Sequence, residues 1–138
     1  EQAQRVEVIL KGYEEHYTIT GRIPREDVIG VQQKSHLLLM ISHEGLKGIP
    51  SSKLYEYIGL NKPVLLYPND NDIIEKTLKH TELGVICDNQ SEIESKLTSL
   101  VIDFISSGVA PIEGNLENIQ GYTRRNQVKK LAQLLDKI

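Results

Sequence analysis

Tryptophan is absent from this sequence, and phenylalanine, cysteine and methionine occur once each. A single cysteine, Cys87, excludes an internal disulfide and fits a reducing compartment. No apolar run approaches the roughly 18 residues that span a bilayer. The first residues lack the order of a signal peptide, in which a charged stretch precedes an apolar core and a small-residue cleavage site. Together these absences lead us to expect a cytoplasmic protein. Neither sign of charge dominates: the net charge is −3 and the isoelectric point about 5.8. Such a chain has no electrostatic basis for non-specific nucleic-acid binding. Residue 1 is Glu and the only methionine is Met40, so the sequence reads as a processed chain or a piece of a longer one.

Several chemical signatures are also missing. There is no G-x-G-x-x-G, no G-x-x-x-x-G-K-[ST] and no G-x-S-x-G. The four histidines, His16, His36, His43 and His80, have no metal-type spacing with one another or with Cys87. No metal or cofactor is therefore expected.

What is present is an alternation of strand-like and helix-like stretches. The 138 residues, 39% of them hydrophobic, suffice for one domain with its own core. Ala3, Val6, Leu10 and Tyr13 have helical spacing, although Val6, Val8 and Leu10 also alternate as a strand would. Tyr17-Thr18-Ile19-Thr20 is rich in β-branched residues and stops at Gly21, which predicts a short strand. Pro24 precedes a helix with Glu26 and Asp27 in its first turn, running to about Lys34. Leu37 to Ile41 is continuously apolar, the pattern of a strand covered on both faces.

A helix over 51–59 and a strand over 64–67 follow. Asp70 or Asn71 can cap a helix holding Ile73, Ile74 and Leu78, and Gly84 to Cys87 is another buried strand. Ser91 and Glu94 have capping-box spacing, ahead of a helix with Ile93, Leu97, Leu100, Val101 and Phe104 on one face. Residues 107–121 read as a connection. Thr123 caps a last helix with a Val128, Leu131, Leu135 and Ile138 stripe, whose Lys129, Lys130 and Lys137 read as a solvated face.

This order predicts an α/β fold: a three-layer, Rossmann-like domain with a mostly parallel sheet over 1–121, and a carboxy-terminal helix, 122–138, packing on it. Four strands are visible where doubly wound domains have about five or six.

Ligands of such sheets sit beyond the carboxyl ends of the strands, here the loops 21–25, 42–52, 68–72 and 88–91. The 42–52 loop carries the most chemistry. Gly48 to Ser52 is expected to present free N–H groups at a helix amino terminus, where the dipole favours anions. Ser51 or Ser52 either caps that helix or donates to a phosphate. Lys53 either points to water or faces a bound anion that removes its conflict with the dipole. Glu56 lies one turn further in, on the face of Ser52, as an exposed helix former or as an acceptor for two ribose hydroxyls. Arg22 and the His43-Glu44 pair also follow strands, where they can meet a phosphate, a base or a sugar.

Ser-Ser-Lys-Leu-Tyr-Glu-Tyr-Ile-Gly-Leu-Asn-Lys-Pro-Val-Leu, residues 51–65, resembles the donor-binding segment of GT-B glycosyltransferases of the group-1 type. Tyr17 to Pro24, Leu37 to Ser42, Leu83 to Ile86 and the helix from Thr123 are similar, in order, to other parts of the same half. The resemblance covers roughly residues 15–138, the carboxy-terminal half of such an enzyme.

It implies transfer of a sugar from a nucleotide diphosphate-sugar to an acceptor hydroxyl, without metal. Glu56 would bind the ribose, and Gly48, Ser51, Ser52 and Lys53 the phosphates or sugar. The base would lie against Arg22. Glu44 would be the first of the family's two glutamates, although it stands twelve positions before Glu56 and the family's pair is closer. The catalytic residues are unknown. The partners implied are the donor and an absent amino-terminal acceptor-binding domain, through which the enzyme would associate peripherally with a membrane. A second reading is a non-catalytic GT-B-like interaction module without donor binding. A third, a flavodoxin-like receiver, needs acidic strand ends, and only the last strand here ends in one, Asp88.

Overall fold

A computed structural model describes residues 2–43, 45, 47–109 and 111–137. The chain divides into two compact units, residues 1–31 and 32–138.

The first unit holds helix α1 (Gln2–Ile9), a short 3-10 turn (Glu14–His16) and the start of α2 (Arg25–Lys34). The turn is tied by the Gly12 N–H, which donates to Glu14 Oε1 at 2.9 Å. That bond, with the Glu14 backbone amide, lowers the Glu14 carboxyl below its usual range. Helix α2 begins just after Pro24, whose carbonyl accepts from the Val28 N–H at 3.1 Å, and Glu26 and Asp27 sit in its first turn as expected.

The strand expected over Tyr17–Thr20 does not form: these residues belong to no sheet among the described residues. Thr18, Ile19 and Thr20 are exposed. β-branched side chains favour a strand through packing on a paired strand and burial, and here no paired strand supplies them among the described residues.

The second unit is built on a three-stranded parallel sheet, β1 (Leu38–Met40), β2 (Val64–Leu66) and β3 (Gly84–Ile86), in the order β1-β2-β3. Leu38 is in register with Val64, and Val64 with Gly84. Helices α3 (Ser52–Gly59) and α4 (Ile73–Thr81) connect the strands, and α5 (Gln90–Ser107) follows β3. This mixed α/β arrangement is compatible with a Rossmann-like fold.

Side chains alternate across the pleat. Leu38, Met40, Val64 and Leu66 face Leu54, Tyr57 and Ile58 of α3 and Ile74 and Leu78 of α4. Leu65, Val85 and Cys87 face the opposite way, onto Ile93, Leu97 and Leu100 of α5. Helices therefore cover both faces of β2, all three of whose residues are buried. Strand β1 departs from expectation: Leu39 and Ile41 are more than half exposed. As an edge strand it is covered on one face only, so a continuous apolar run did not mean double burial.

Residues 107–121 are more than a connection. Asn115 caps a short helix, α6 (Leu116–Gln120), by accepting from the Asn118 N–H at 3.1 Å. Ile119 enters the core beside Leu83. The Asn115 N–H donates to the Thr81 carbonyl at 2.9 Å, and the Asn118 side-chain amide to the His80 carbonyl at 2.7 Å. Gly114 lies where a Cβ would come within 2.8 Å of both Leu83 and Ile119 and within 2.5 Å of Asn61 Oδ1. This tight approach, invisible in local sequence, fixes α6 against the carboxyl end of α4.

Thr123 caps α7 (Arg124–Leu135) as expected, its hydroxyl accepting from the Asn126 N–H at 3.4 Å. Of the expected stripe, Val128, Leu131 and Leu135 are exposed, as is Leu134 beside them, and Ile138 lies outside the described residues.

Candidate functional site

The carboxyl ends of β1, β2 and β3 lead into loops held together by short polar contacts. Ser42, directly beyond β1, is buried and its hydroxyl donates to the Pro68 carbonyl at 2.6 Å. The Asn69 side-chain amide, after β2, donates to Asp88 Oδ1, after β3, at 3.0 Å. Each strand end is thereby tied to the next, which gives this edge of the sheet a defined shape.

The helices that start at this edge are capped differently. Ser51 caps α3, its hydroxyl accepting from the Lys53 N–H at 3.3 Å. Of the two roles open to it, Ser51 takes the cap. Asp70 takes the amino terminus of α4: its carboxylate accepts from the N–H groups of Ile74 at 2.9 Å, Glu75 at 3.0 Å and Asp72 at 3.3 Å. A full negative charge on a helix amino terminus complements the dipole and leaves little there for an external anion. At α5 the capping pair is Asn89 and Glu92, not the expected Ser91 and Glu94. Asn89 accepts from the Glu92 N–H at 3.0 Å, and Glu92 reaches back to the Asp88 N–H at 3.2 Å. The helix starts two residues earlier than the Ser91 reading placed it, and the same reciprocal logic moves with it.

Asp72 connects the 42–52 loop to α4. Its Oδ2 accepts from the Gly48 N–H at 2.7 Å, and its Oδ1 accepts from Lys76 Nζ at 3.1 Å. Lys76, then Gly48, hold the Asp72 carboxyl below its usual range, and Lys47 adds to the effect. The expected free N–H at Gly48 is therefore occupied. Gly48 has φ +73°, a left-handed conformation that suits glycine, and an added Cβ would meet open space. Backbone conformation, rather than crowding, is what requires glycine there.

The expected site residues fall into three groups. Ser51, Ser52, Lys53 and Glu56 share the first turns of α3, with Ser52 and Lys53 exposed and Glu56 half-buried. Gly48 joins them through the loop and is held by Asp72. Arg22 is an exposed residue of the first unit, in the bend before α2. Glu44 lies outside the described residues. Tyr57, beside Glu56, is buried, and burial first and the Glu56 charge second push its phenol up.

Asp72 and Asn69 were not singled out in the sequence. The only signal for them is the polar run Asn69-Asp70-Asn71-Asp72, which reads simply as capping residues. Cys87 is fully buried, and desolvation pushes its thiol up, which makes it an unreactive core residue. Among the described residues, no group of three or more His, Cys, Asp or Glu is placed to hold a metal ion.

A concavity of about 190 Å³ opens at the amino ends of β1 and β2. His36, Leu37, Pro63, Leu97, Phe104 and Pro111 line it. It is apolar and lies at the opposite end of the strands from the loops described above. Among the described residues, no helix is long and apolar enough to cross a membrane.

No protein-family model matches the chain, and no solved structure matches it. Among curated proteins it is similar to glutamate-1-semialdehyde 2,1-aminomutase 2 of Halalkalibacterium halodurans, with 30% identity over 91 residues. That match covers 59% of this chain and 21% of the aminomutase, so the chain spans about a fifth of that relative's length.

Proposed function

We propose that this chain is the donor-binding part of a GT-B glycosyltransferase, cytoplasmic and independent of metal, that transfers a sugar from a nucleotide diphosphate-sugar to an acceptor hydroxyl. The observation that carries this reading is the position of the 51–65 segment. Its helix, α3, starts at the carboxyl edge of a parallel sheet, is capped by Ser51, and bears Glu56 one turn in.

The helix amino terminus and Lys53 would stabilise the diphosphate charge, and Glu56 would accept from the ribose hydroxyls. Ser52 and Gly48 would contact the phosphates or sugar. Arg22 and Glu44 keep the base-side and sugar-side roles that the family resemblance gives them. In this reading the three strands belong to one half of a three-layer GT-B fold. The acceptor would be held by a second domain, which would also provide peripheral membrane association, and the chain alone would bind donor without turnover. The partial match to an aminomutase covers too little of that protein to transfer its activity.

Calorimetric titration with UDP, GDP and ADP tests the proposal. One of them is expected to bind, and Glu56→Ala to weaken it by about 1–3 kcal/mol, the range for hydrogen bonds to a charged group. Failure of all three to bind the folded chain would contradict the reading.

One observation favours the alternative of a non-catalytic module with the same ancestry. The Gly48 amide is already satisfied within the chain by Asp72, so the loop does not depend on a bound phosphate. The same titration separates the two.

A further inference from the structure

Helix α7 poses a physical problem that the donor site does not address. It has 12 residues, and isolated helices shorter than about 12–15 residues are marginal in water. Most helical stability in proteins comes from burying an apolar face, yet Val128 is 65% exposed, Leu131 56%, and Leu134 and Leu135 60% each. The spacing of 128, 131 and 135, with 134 alongside, sets these residues in one stripe.

Charge is concentrated on the same helix. Residues 124–137 carry Arg124, Arg125, Lys129, Lys130 and Lys137 against Asp136, a net +4, so the rest of the chain, of total charge −3, carries −7. Arg125 and Lys130 flank the stripe on either side, Lys129 lies on the polar face, and Lys137 follows the end of the helix. All four are exposed. Whatever covers the stripe must therefore meet cationic flanks with negative charge. Pairing of two copies of α7 would bury the stripe but bring like charges together, which is unfavourable. An anionic lipid surface offers an apolar boundary for the stripe and negative headgroups for the flanks.

We propose that α7 docks this chain on an anionic lipid surface. The Val128, Leu131, Leu134 and Leu135 stripe lies at the boundary between headgroups and acyl chains, and the basic side chains reach the lipid phosphates and carboxylates. Four aliphatic residues are a small apolar anchor, so binding depends on the charge and weakens as salt is raised. The inference rests on α7 alone and is independent of the donor site.

Co-sedimentation of the chain with phosphatidylcholine vesicles, with and without phosphatidylserine, tests it. Binding is expected to be at least about tenfold tighter to the vesicles that contain phosphatidylserine. Leu131→Glu and, separately, the double change Lys129→Glu with Lys130→Glu should each abolish that preference. All three positions are exposed, and far-UV circular dichroism checks that the rest of the fold is retained. No binding to phosphatidylserine vesicles would overturn the proposal, as would equal binding to both vesicle types. It would equally be overturned by a self-associated chain that Leu131→Glu makes monomeric and that ignores vesicles, since the stripe would then be an interface between copies.

Discussion

Helices α3 and α7 are alike in sequence and opposite in surroundings. Each is announced by a hydroxyl cap, Ser51 or Thr123, and each carries an apolar stripe at helical spacing. The α3 stripe is sealed in the core, with Leu54 0% and Ile58 1% exposed, whereas every described stripe residue of α7 stands more than half in water. Helix α3 lies between two strands that pair with each other, so the connection itself brings its stripe onto the sheet. Helix α7 follows the last strand and the α6 anchor, with no strand after it among the described residues. Periodicity specifies a helix and the direction its stripe faces, but not what covers the stripe.

The largest effect expected from this contrast is on stability. Leu54→Ala should destabilise the chain by about 2–5 kcal/mol, the range for a large-to-small change in a packed core. Leu131→Ala should stay within about 0.5 kcal/mol, as exposed substitutions do. Urea unfolding of the two variants measures the difference, and equal losses would show that α7 is packed in solution.

A smaller effect is expected at the caps. Ser51→Ala should cost about 0.5–2 kcal/mol and be felt in global unfolding, because α3 is part of the core. Thr123→Ala should reduce helicity in circular dichroism while leaving the unfolding midpoint nearly unchanged, because α7 frays by itself.

The smallest effect belongs to the Asp72 contact. Its folded carboxyl lies below the usual range, so the contribution is present above that range and is lost as the pH falls through the lowered value. Protection of the Gly48 amide, its exchange taken relative to the intrinsic rate at each pH, should therefore fall at acid pH. Asp72→Asn should remove that pH dependence with little change in global stability, since Asp72 lies at the surface, only partly buried, and its ion pair with the exposed Lys76 is screened by water.

The parts of the molecule legible in the sequence are those fixed by local chemistry. The extents of α2, α3 and α4, the carboxyl end of α5, the caps at Ser51 and Thr123, and the burial of Val64–Leu66 and Cys87 all follow from periodicity, capping residues and apolar runs. What was not legible depends on partners far along the chain. Tyr17–Thr20 has strand-forming side chains but pairs with no strand among the described residues. Leu37–Ile41 has the composition of a central strand and the position of an edge. Gly114 is dictated by Leu83, Ile119 and Asn61, and the Gly48 amide by Asp72, 24 residues away. In the candidate site, the four residues Ser51, Ser52, Lys53 and Glu56 could be grouped because they share the first turns of one helix, whereas the carboxylate that fills the loop could not be found from spacing.

The central claim, a nucleotide diphosphate site at the start of α3, is tested most directly by the amide spectrum of the isotope-labelled chain titrated with UDP, GDP and ADP. The account predicts saturable shifts for one nucleotide at Gly48, Ser52, Lys53 and Glu56, with the amides of α7 unmoved. Shifts confined to other regions, or an unchanged spectrum with all three nucleotides, would contradict it.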